Sequence, residues 1–568
     1  MVHDTPTLGE PSLPGGRGAA PPSTPGDLRA WEEVADFLGR AETHGLAEAP
    51  LRIDTHAAAV FLAGSLAYKI KRPVVFPFLD FSTLDRRETA CRREIAVDRP
   101  IAPQIYRRVV AITREADGSP AIGGSGPPLE WAVEMNRFDE TATLDRVVAK
   151  GPLAPDFVDD LAATVARMQA RAGRREAAPW IADLGRYLDQ NAEAFAARPD
   201  LFPPERAAVL TRRARARLAG LEAHLEARGR LGFVRLGHGD LHCGNIALID
   251  GRAQPFDAVE FDDAVATGDI LYDAGFLVMD LADRGDRAAA RRFLDRLLVE
   301  GTRREGEARG AGGAAGAERV AEAFLERIDG LVALDLFLSV RAALRAKIAA
   351  ARAPHLADRE RHAAEAEARR LFGDALGHLA AKTPRLVAIG GLSGSGKSKL
   401  ALDVAPHLDP TPGALVLRTD EIRKLLAGVV ATARLSAEHY TADASRRVYA
   451  LVERAAGRAL AAGRSVIVDA VAAKPAERAR FAAIAARAEV PFTGLWLDVD
   501  EAVAAARVAA RRGDASDADA AVVRLQHDYD LGPIDWPRID ANGAPEASLA
   551  AARTVLERPP GPVDLVRP

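Results

Sequence analysis

The segment Gly391-Leu-Ser-Gly-Ser-Gly396-Lys397-Ser398 constrains the fold of this chain more than any other. It satisfies G-x-x-x-x-G-K-[ST] in full. An apolar run, RLVAI at 385–389, precedes it and a helix-forming stretch follows, so the pattern predicts strand, tight loop and helix in that order. The glycines let backbone N–H groups turn inward around phosphate oxygens, and the helix presents the positive end of its dipole to the same anion. Lys397 is placed to reach the β and γ phosphates and to act in transfer; Ser398 is placed to ligate Mg²⁺. Gly391, Ser393, Gly394, Ser395, Gly396, Lys397 and Ser398 are therefore the expected nucleotide-binding residues, with ATP and Mg²⁺ as cofactors.

Three further apolar runs, ALVLRT at 414–419, SVIVDA at 465–470 and FTGLWLDV at 492–499, alternate with helical stretches, the pattern of parallel βαβ units. This C-terminal unit is expected to span 381–568. Asp420 ends the second run and Arg423 follows three residues later, on the same side of a first helical turn. The aspartate could accept a hydroxyl proton and the arginine could hold a substrate phosphate; Asp420 could equally be a plain N-cap. Asp469 closes SVIVD, where it could enter the Mg²⁺ shell or simply end a strand. Arg507, Arg511 and Arg512 fall within two helical turns, either as a lid over ATP or as a solvated basic face.

A second constellation lies at 238–262. His238-Gly-Asp240-Leu-His242-Cys-Gly-Asn245 places an aspartate five residues before an asparagine, in a loop between strands, and Asp257 ends the strand QPFD. Phosphoryl transfer needs a carboxylate facing the acceptor hydroxyl and oxygen ligands for a metal. Asp240 suits the first role, and Asn245 and Asp257 suit the second. Two histidines with Cys243 as the single thiol beside them and no third histidine nearby are weak evidence for zinc. The stretch before this loop reads as mixed α and β: a helix near 27–40, strands at AAAVFLAG, LAYKI, 104–113 and 129–137, and a helix over 85–98. Helices are expected over 155–230 and 270–380. This unit is expected to span 28–380, with a mobile Gly/Ala/charge loop at 301–318. The Pro-, Gly- and Ser-rich residues 1–27 read as a disordered tail.

These residues bear two resemblances. Gly391–Ser398, TDEIR at 419–423, SVIVDA and RVAARRGDASDA at 507–518 together resemble P-loop kinases related to polynucleotide 5′-hydroxyl kinases and zeta toxins. That likeness covers about 385–540 and implies Asp420 as general base and Arg423 as the acceptor-phosphate ligand. The His238–Asn245 loop resembles the catalytic loop of aminoglycoside phosphotransferase-like kinases over about 50–350. It implies a two-lobed protein-kinase-like fold, with Lys69 as the strand lysine on the nucleotide phosphates and Glu94 as its helix partner. Lys71 shares the strand parity of Lys69 and is its rival. Asp269 and Asp273 stand where that family has structural aspartates. Two departures stand out: Gly64 is the single glycine where the family has a glycine-rich nucleotide-covering loop, and Ala-Val follows Asp257. The order of the two segments resembles a bacterial family of predicted bifunctional proteins. The expected fold is therefore α/β and α+β, multidomain: a protein-kinase-like two-lobe fold followed by a parallel-sheet P-loop kinase fold.

A net charge of −4 and an aromatic content of 5% give no reason to expect nucleic acid as a partner, although nothing forbids it. The absence of a long uncharged apolar run argues against a membrane span. The two cysteines, Cys91 and Cys243, suit a reducing, cytoplasmic compartment. The expected partner is a small-molecule or nucleotide-type hydroxyl substrate; oligomeric state is not legible. Three readings stand: a bifunctional phosphotransferase; an active C-terminal kinase, on nucleotide or polynucleotide 5′-hydroxyls, beside an N-terminal binding module; and an ATP-gated switch without catalysis.

Overall fold

The computed structural model describes residues 25–76, 79–308, 313–511 and 514–557. Packing divides the chain into two units, each drawn from three stretches: 1–152, 171–277 and 340–373 in the first, and 153–170, 278–339 and 374–568 in the second. Residues 1–24 of the expected tail lie outside the described residues, and 25–27 begin the helix Pro25–Leu38.

The first unit opens with a six-stranded antiparallel sheet in the order Leu51–Asp54, Ala58–Ala63, Leu66–Lys71, Pro128–Asn136, Tyr106–Arg114, Pro120–Ile122. Side chains alternate across it. Tyr68 and Ile70 therefore join Phe61, Ile112 and Ala132 under Trp31, Val34 and Leu38 of the helix Pro25–Leu38. Lys69 and Lys71 project from the opposite face, which the helix Leu84–Asp98 covers. Thr83 caps that helix by accepting from the Arg86 N–H, and a buried Arg87–Glu130 ion pair at 2.7 Å ties it to the sheet. The alternation thus delivers both lysines to the helix that carries Glu94. Beyond the sheet, the hairpin Ile246–Ile249/Arg252–Pro255 and the pair Val234–Leu236/Thr267–Asp269 frame the loop 237–245. The helices Ala177–Ala197 and Pro204–Leu231 pack against each other beside them.

The second unit is built on a five-stranded sheet in the order Leu415–Arg418, Val466–Asp469, Leu386–Gly390, Phe492–Asp498, Arg538–Asp540, with every neighbouring pair parallel. Its strands read as continuous apolar runs because both faces are covered. Val387, Ile389, Ile467 and Leu495 pack on Leu400, Ala401 and Val404 of the helix Lys397–Leu408. The helices Arg287–Ala308 and Gly313–Asp329 belong to this unit. They pack on the outer strand Leu415–Arg418 and on the helix Ala442–Ala461, with Arg458–Asp329 at 2.6 Å as one tie.

One expectation is overturned here. In place of a loop over 301–318, the chain is helical through Ala308 and again from Gly313, and only 309–312 lie outside the described residues. Alanine, arginine and glutamate are strong helix formers, and Arg303 holds Glu300 at 2.9 Å along one helix face. Among the described residues, no helix is long and apolar enough to cross a membrane.

Candidate active sites

In the first unit, Lys69 Nζ lies 2.9 Å from Glu94 Oε1 and 2.9 Å from Asp257 Oδ1. Lys71 Nζ takes the other oxygen of Glu94 at 2.6 Å and reaches Glu260 Oε1 at 2.5 Å. The two rival lysines thus share one glutamate: Lys69 faces Asp257, while Lys71 sits deeper and is committed to Glu260. Asn245 Nδ2 donates to Asp240 at both its backbone oxygen (3.0 Å) and its Oδ2 (3.1 Å). Asp240 and Asp257 both line a cleft with Lys69, Lys71, Glu260, Phe81 and the turn Thr55-His56-Ala57.

Aspartates fix the loop that carries Asp240. Asp273 accepts from the His238 N–H (2.9 Å) and the Gly239 N–H (3.1 Å). Asp269 receives Arg228 in a buried two-point pair at 2.5 and 2.9 Å and caps the Leu271 N–H. Asp257 adopts a left-handed φ of 58°. Its N–H is held by Tyr106 Oη (3.1 Å), and the following Ala258 N–H by Asp98 (2.8 Å).

Burial works against every charge in this cleft, and the partners decide the outcome. Asp257 and Glu94 outweigh the desolvation of Lys69 and hold its pKa well above the usual range. Burial raises the carboxyls of Glu94 and Asp257, but the lysines reverse the shift and keep both ionised. Asp98 faces Glu94 and Asp257 without a cation of its own. Burial and those charges push it well up. Burial pushes His238 down, so it stays neutral and donates from Nε2 to Phe256 O, 3.0 Å away.

In the second unit the loop Gly391–Ser398 leaves the central strand and enters the helix Lys397–Leu408. Gly394 has φ 86°, and a Cβ there would lie 2.6 Å from the Ala504 carbonyl oxygen; only glycine fits. Gln526 accepts from the Ser393 N–H at 2.7 Å and pins the loop from the helix Ala520–His527. Lys397 Nζ donates to Leu392 O at 2.9 Å. Its pKa is lowered by burial, against the pull of Asp469 and Asp420. Ser398 Oγ donates to Asp469 Oδ2 at 2.6 Å, so the end of one strand meets the start of the loop helix.

Arg418 organises the rest. It donates to Asp469 (3.2 Å), Glu421 (2.9 Å) and Asp514 (2.7 Å), and these carboxylates hold its charge against burial. Asp420 is raised by burial and by the neighbouring Asp469, and Ser516 donates to it. Arg423 donates to His439 O at 2.6 Å and lies over the Tyr440 ring at 4.8 Å.

The structure therefore brings Lys397, Ser398, Asp469 and Asp420 to one place, with Arg511 close enough to act on the charge of Lys397. Arg507 goes elsewhere: it donates to Gly543 O at 2.9 Å. Arg512 lies outside the described residues. Arg418, Gln526, Glu260 and the turn 55–57 escape sequence reasoning. Arg418 carries the one available signal, a cation at the end of an apolar strand. Gly64 turns the chain between the strands Ala58–Ala63 and Leu66–Lys71, at the far end of the hairpin from the cleft.

Both sites fit a magnesium ion held jointly with a nucleotide. Among the described residues no three His, Cys, Asp or Glu side chains converge as a self-sufficient metal site. Each site instead offers two oxygen-bearing side chains: Ser398 with Asp469, and Asp257 with Asn245, which is bonded to Asp240. Mg²⁺ characteristically completes such a sparse set with phosphate oxygens and water.

Comparison with known proteins sets one family model over each of the two site-bearing segments. Residues 79–310 match the model of the phosphotransferase enzyme family, and residues 386–530 match an AAA-domain model. An uncharacterised protein of Mycobacterium tuberculosis (strain H37Rv) is 31% identical over 529 residues, covering 90% of this chain and 97% of the relative; an uncharacterised protein of Mycobacterium bovis matches to the same extent. Among solved structures, a choline/ethanolamine kinase family protein from Mesorhizobium loti is 14% identical, with a TM-score of 0.35 over 62% of this chain and 99% of its own. The Mycobacterium tuberculosis APS kinase, solved with AMPPNP and APS, is 21% identical, with a TM-score of 0.22 over 31% and 97%.

Proposed function

Because this chain belongs to the family, shared with the mycobacterial relatives, that joins a phosphotransferase-enzyme-family segment to a C-terminal P-loop kinase segment, we propose that it is a bifunctional, ATP- and Mg²⁺-dependent phosphotransferase, each unit moving a γ-phosphoryl group to a hydroxyl of a small-molecule acceptor. One observation carries the reading: each unit brings a lysine, oxygen-bearing side chains and a further carboxylate close together.

Mg²⁺, when bound, would neutralise charge on the phosphates. In the first unit, Lys69 holds the phosphates and Glu94 holds Lys69 in line. Asn245 and Asp257 would hold the metal through their side-chain oxygens. Asp240, oriented by the Asn245 amide, takes the proton of the acceptor hydroxyl. In the second unit, the backbone N–H groups of 391–398 and Lys397 hold the phosphates. Ser398 and Asp469 offer the metal oxygens, and Asp420, with its raised pKa, receives the acceptor proton. Arg423, placed beside Asp420 on one helical turn, holds an anionic group of the acceptor, and Arg511 adds positive charge near the transferring group.

The test is transfer of label from γ-labelled ATP to a mixed pool of hydroxyl acceptors, nucleotides included. Asp240→Ala and Lys397→Ala are each expected to abolish a different labelled product. Loss of the same product from both variants would end the two-enzyme reading. A second reading, with catalysis confined to the P-loop unit, is favoured by one feature: the turn 55–57 contains no glycine. In that case Asp240→Ala leaves every labelled product intact.

A further inference from the structure

The turn Thr55-His56-Ala57 joins the first two strands of the sheet and lines the same cleft as Lys69, Asp240 and Asp257. Those three residues mark the phosphate end of the cleft on the reading above, so the turn roofs the phosphates. It differs physically from a glycine-rich cover. Thr55 closes it on itself: its N–H donates to Ala58 O at 2.8 Å and its hydroxyl accepts from the Ala58 N–H at 3.0 Å. Arg72 holds it from the neighbouring strand, donating through its side chain to Thr55 O (3.1 Å) and through its N–H to Ala57 O (2.8 Å). A turn pinned in this way cannot fold down over a ligand as a glycine run does, so its contribution must come from a side chain already in place. His56 is exposed at its tip, and its ring stands edge-on to Phe76 with centroids 5.8 Å apart, which limits its swing. On the floor of the cleft, Lys71 is committed to Glu94 and Glu260, so Lys69 alone of the two lysines faces the metal-ligand side.

We propose that His56 is a nucleotide-binding residue of the first unit, donating from the pinned turn to the β- or γ-phosphate of ATP opposite Lys69 and replacing the backbone cradle of a glycine-rich loop. The proposal rests on the reading of this cleft as an ATP site, and the experiment separates the two.

The parent protein is full-length Lys397→Ala, which disables the P-loop site, and binding is measured by calorimetry with MgATP and with adenosine. The fraction of the ATP isotherm removed by a further Lys69→Ala change belongs to this cleft. His56→Ala is expected to weaken that fraction about tenfold, the worth of one hydrogen bond to a charged phosphate. Adenosine affinity is expected to stay unchanged, and His56→Gln, which keeps a donor, to retain most of the ATP affinity. ATP affinity within about twofold of the parent in His56→Ala would overturn the assignment while leaving the ATP site standing. Parallel losses for ATP and adenosine would also overturn it, because His56 would then act through packing. Failure of the parent to bind any Lys69-dependent ATP would overturn both the site and the role of His56.

Discussion

Arg418 shows how much one buried cation can organise. It touches the carboxylate that meets Ser398, the glutamate of the next helix and Asp514 beyond it. Its planar fork serves three acceptors at once, which a lysine's ammonium cannot do in the same geometry. Arg418→Met is expected to lower P-loop turnover about tenfold or more and to raise the Mg²⁺ concentration needed for half-activity, with Arg418→Lys between it and the wild type. A Mg²⁺ titration of label transfer checks this; an unchanged Mg²⁺ requirement would mean that Arg418 does not position Asp469. The cation that ends ALVLR marks the position but not its role, because three acceptors from separate segments converge on the arginine only after folding. The phosphate loop was legible because its chemistry is local. The pairing of Lys69 with Glu94 was half legible: strand parity narrows the choice to Lys69 and Lys71, and only the positions of Asp257 and Glu260 distinguish them.

At the scale of elements, the outer strand Leu415–Arg418 would be an open edge without the helix Arg287–Ala308. Asp295 of that helix accepts from the Val416 N–H and pairs with Arg291. Burial raises its carboxyl to about 7, against the pull of Arg291. A carboxyl raised on folding keeps its proton in the folded chain where the unfolded chain has lost it. Its stabilisation is complete below the ordinary aspartate range and is lost as pH climbs through about 7. Asp295→Asn, which cannot ionise, should therefore gain melting temperature relative to the wild type between pH 5 and pH 8. A difference that does not change with pH would place the proton elsewhere. The regular strands and helices of both units follow from hydrophobic periodicity. The helices over 301–308 and 313–318 were missed because glycine clusters read as breaks, whereas Ala, Arg and Glu on either side carry the helix and its buried face, Val320 and Phe324, docks.

For the whole molecule, the informative fact is that both units are discontinuous in sequence. Residues 153–170 and 278–339 precede the phosphate loop by scores of positions, yet they complete its unit. A fragment spanning 381–568 would contain every residue of the expected P-loop site but would lack the cover of its outer strand. We expect it to aggregate or to melt well below the full chain, as followed by light scattering during a thermal ramp. A soluble fragment that unfolds cooperatively and binds ATP would show the cover to be dispensable. Sequence patterns reveal where elements begin and end. They do not reveal which unit recruits a helix, because an amphipathic face carries no address.

The same discontinuity sets an order of events at the ribosome. The helix Pro155–Arg171 emerges with Val158, Leu161 and Val165 ready for burial, but the Arg292 that grips its Asp159 lies 133 residues further on. At roughly 5–20 residues per second of synthesis, Asp159 waits on the order of ten seconds before Arg292 exists. Through that interval the nascent chain carries this helix without the ion pair that ties it into its unit, so the first of the unit's helices to be made is tied in by a residue made much later.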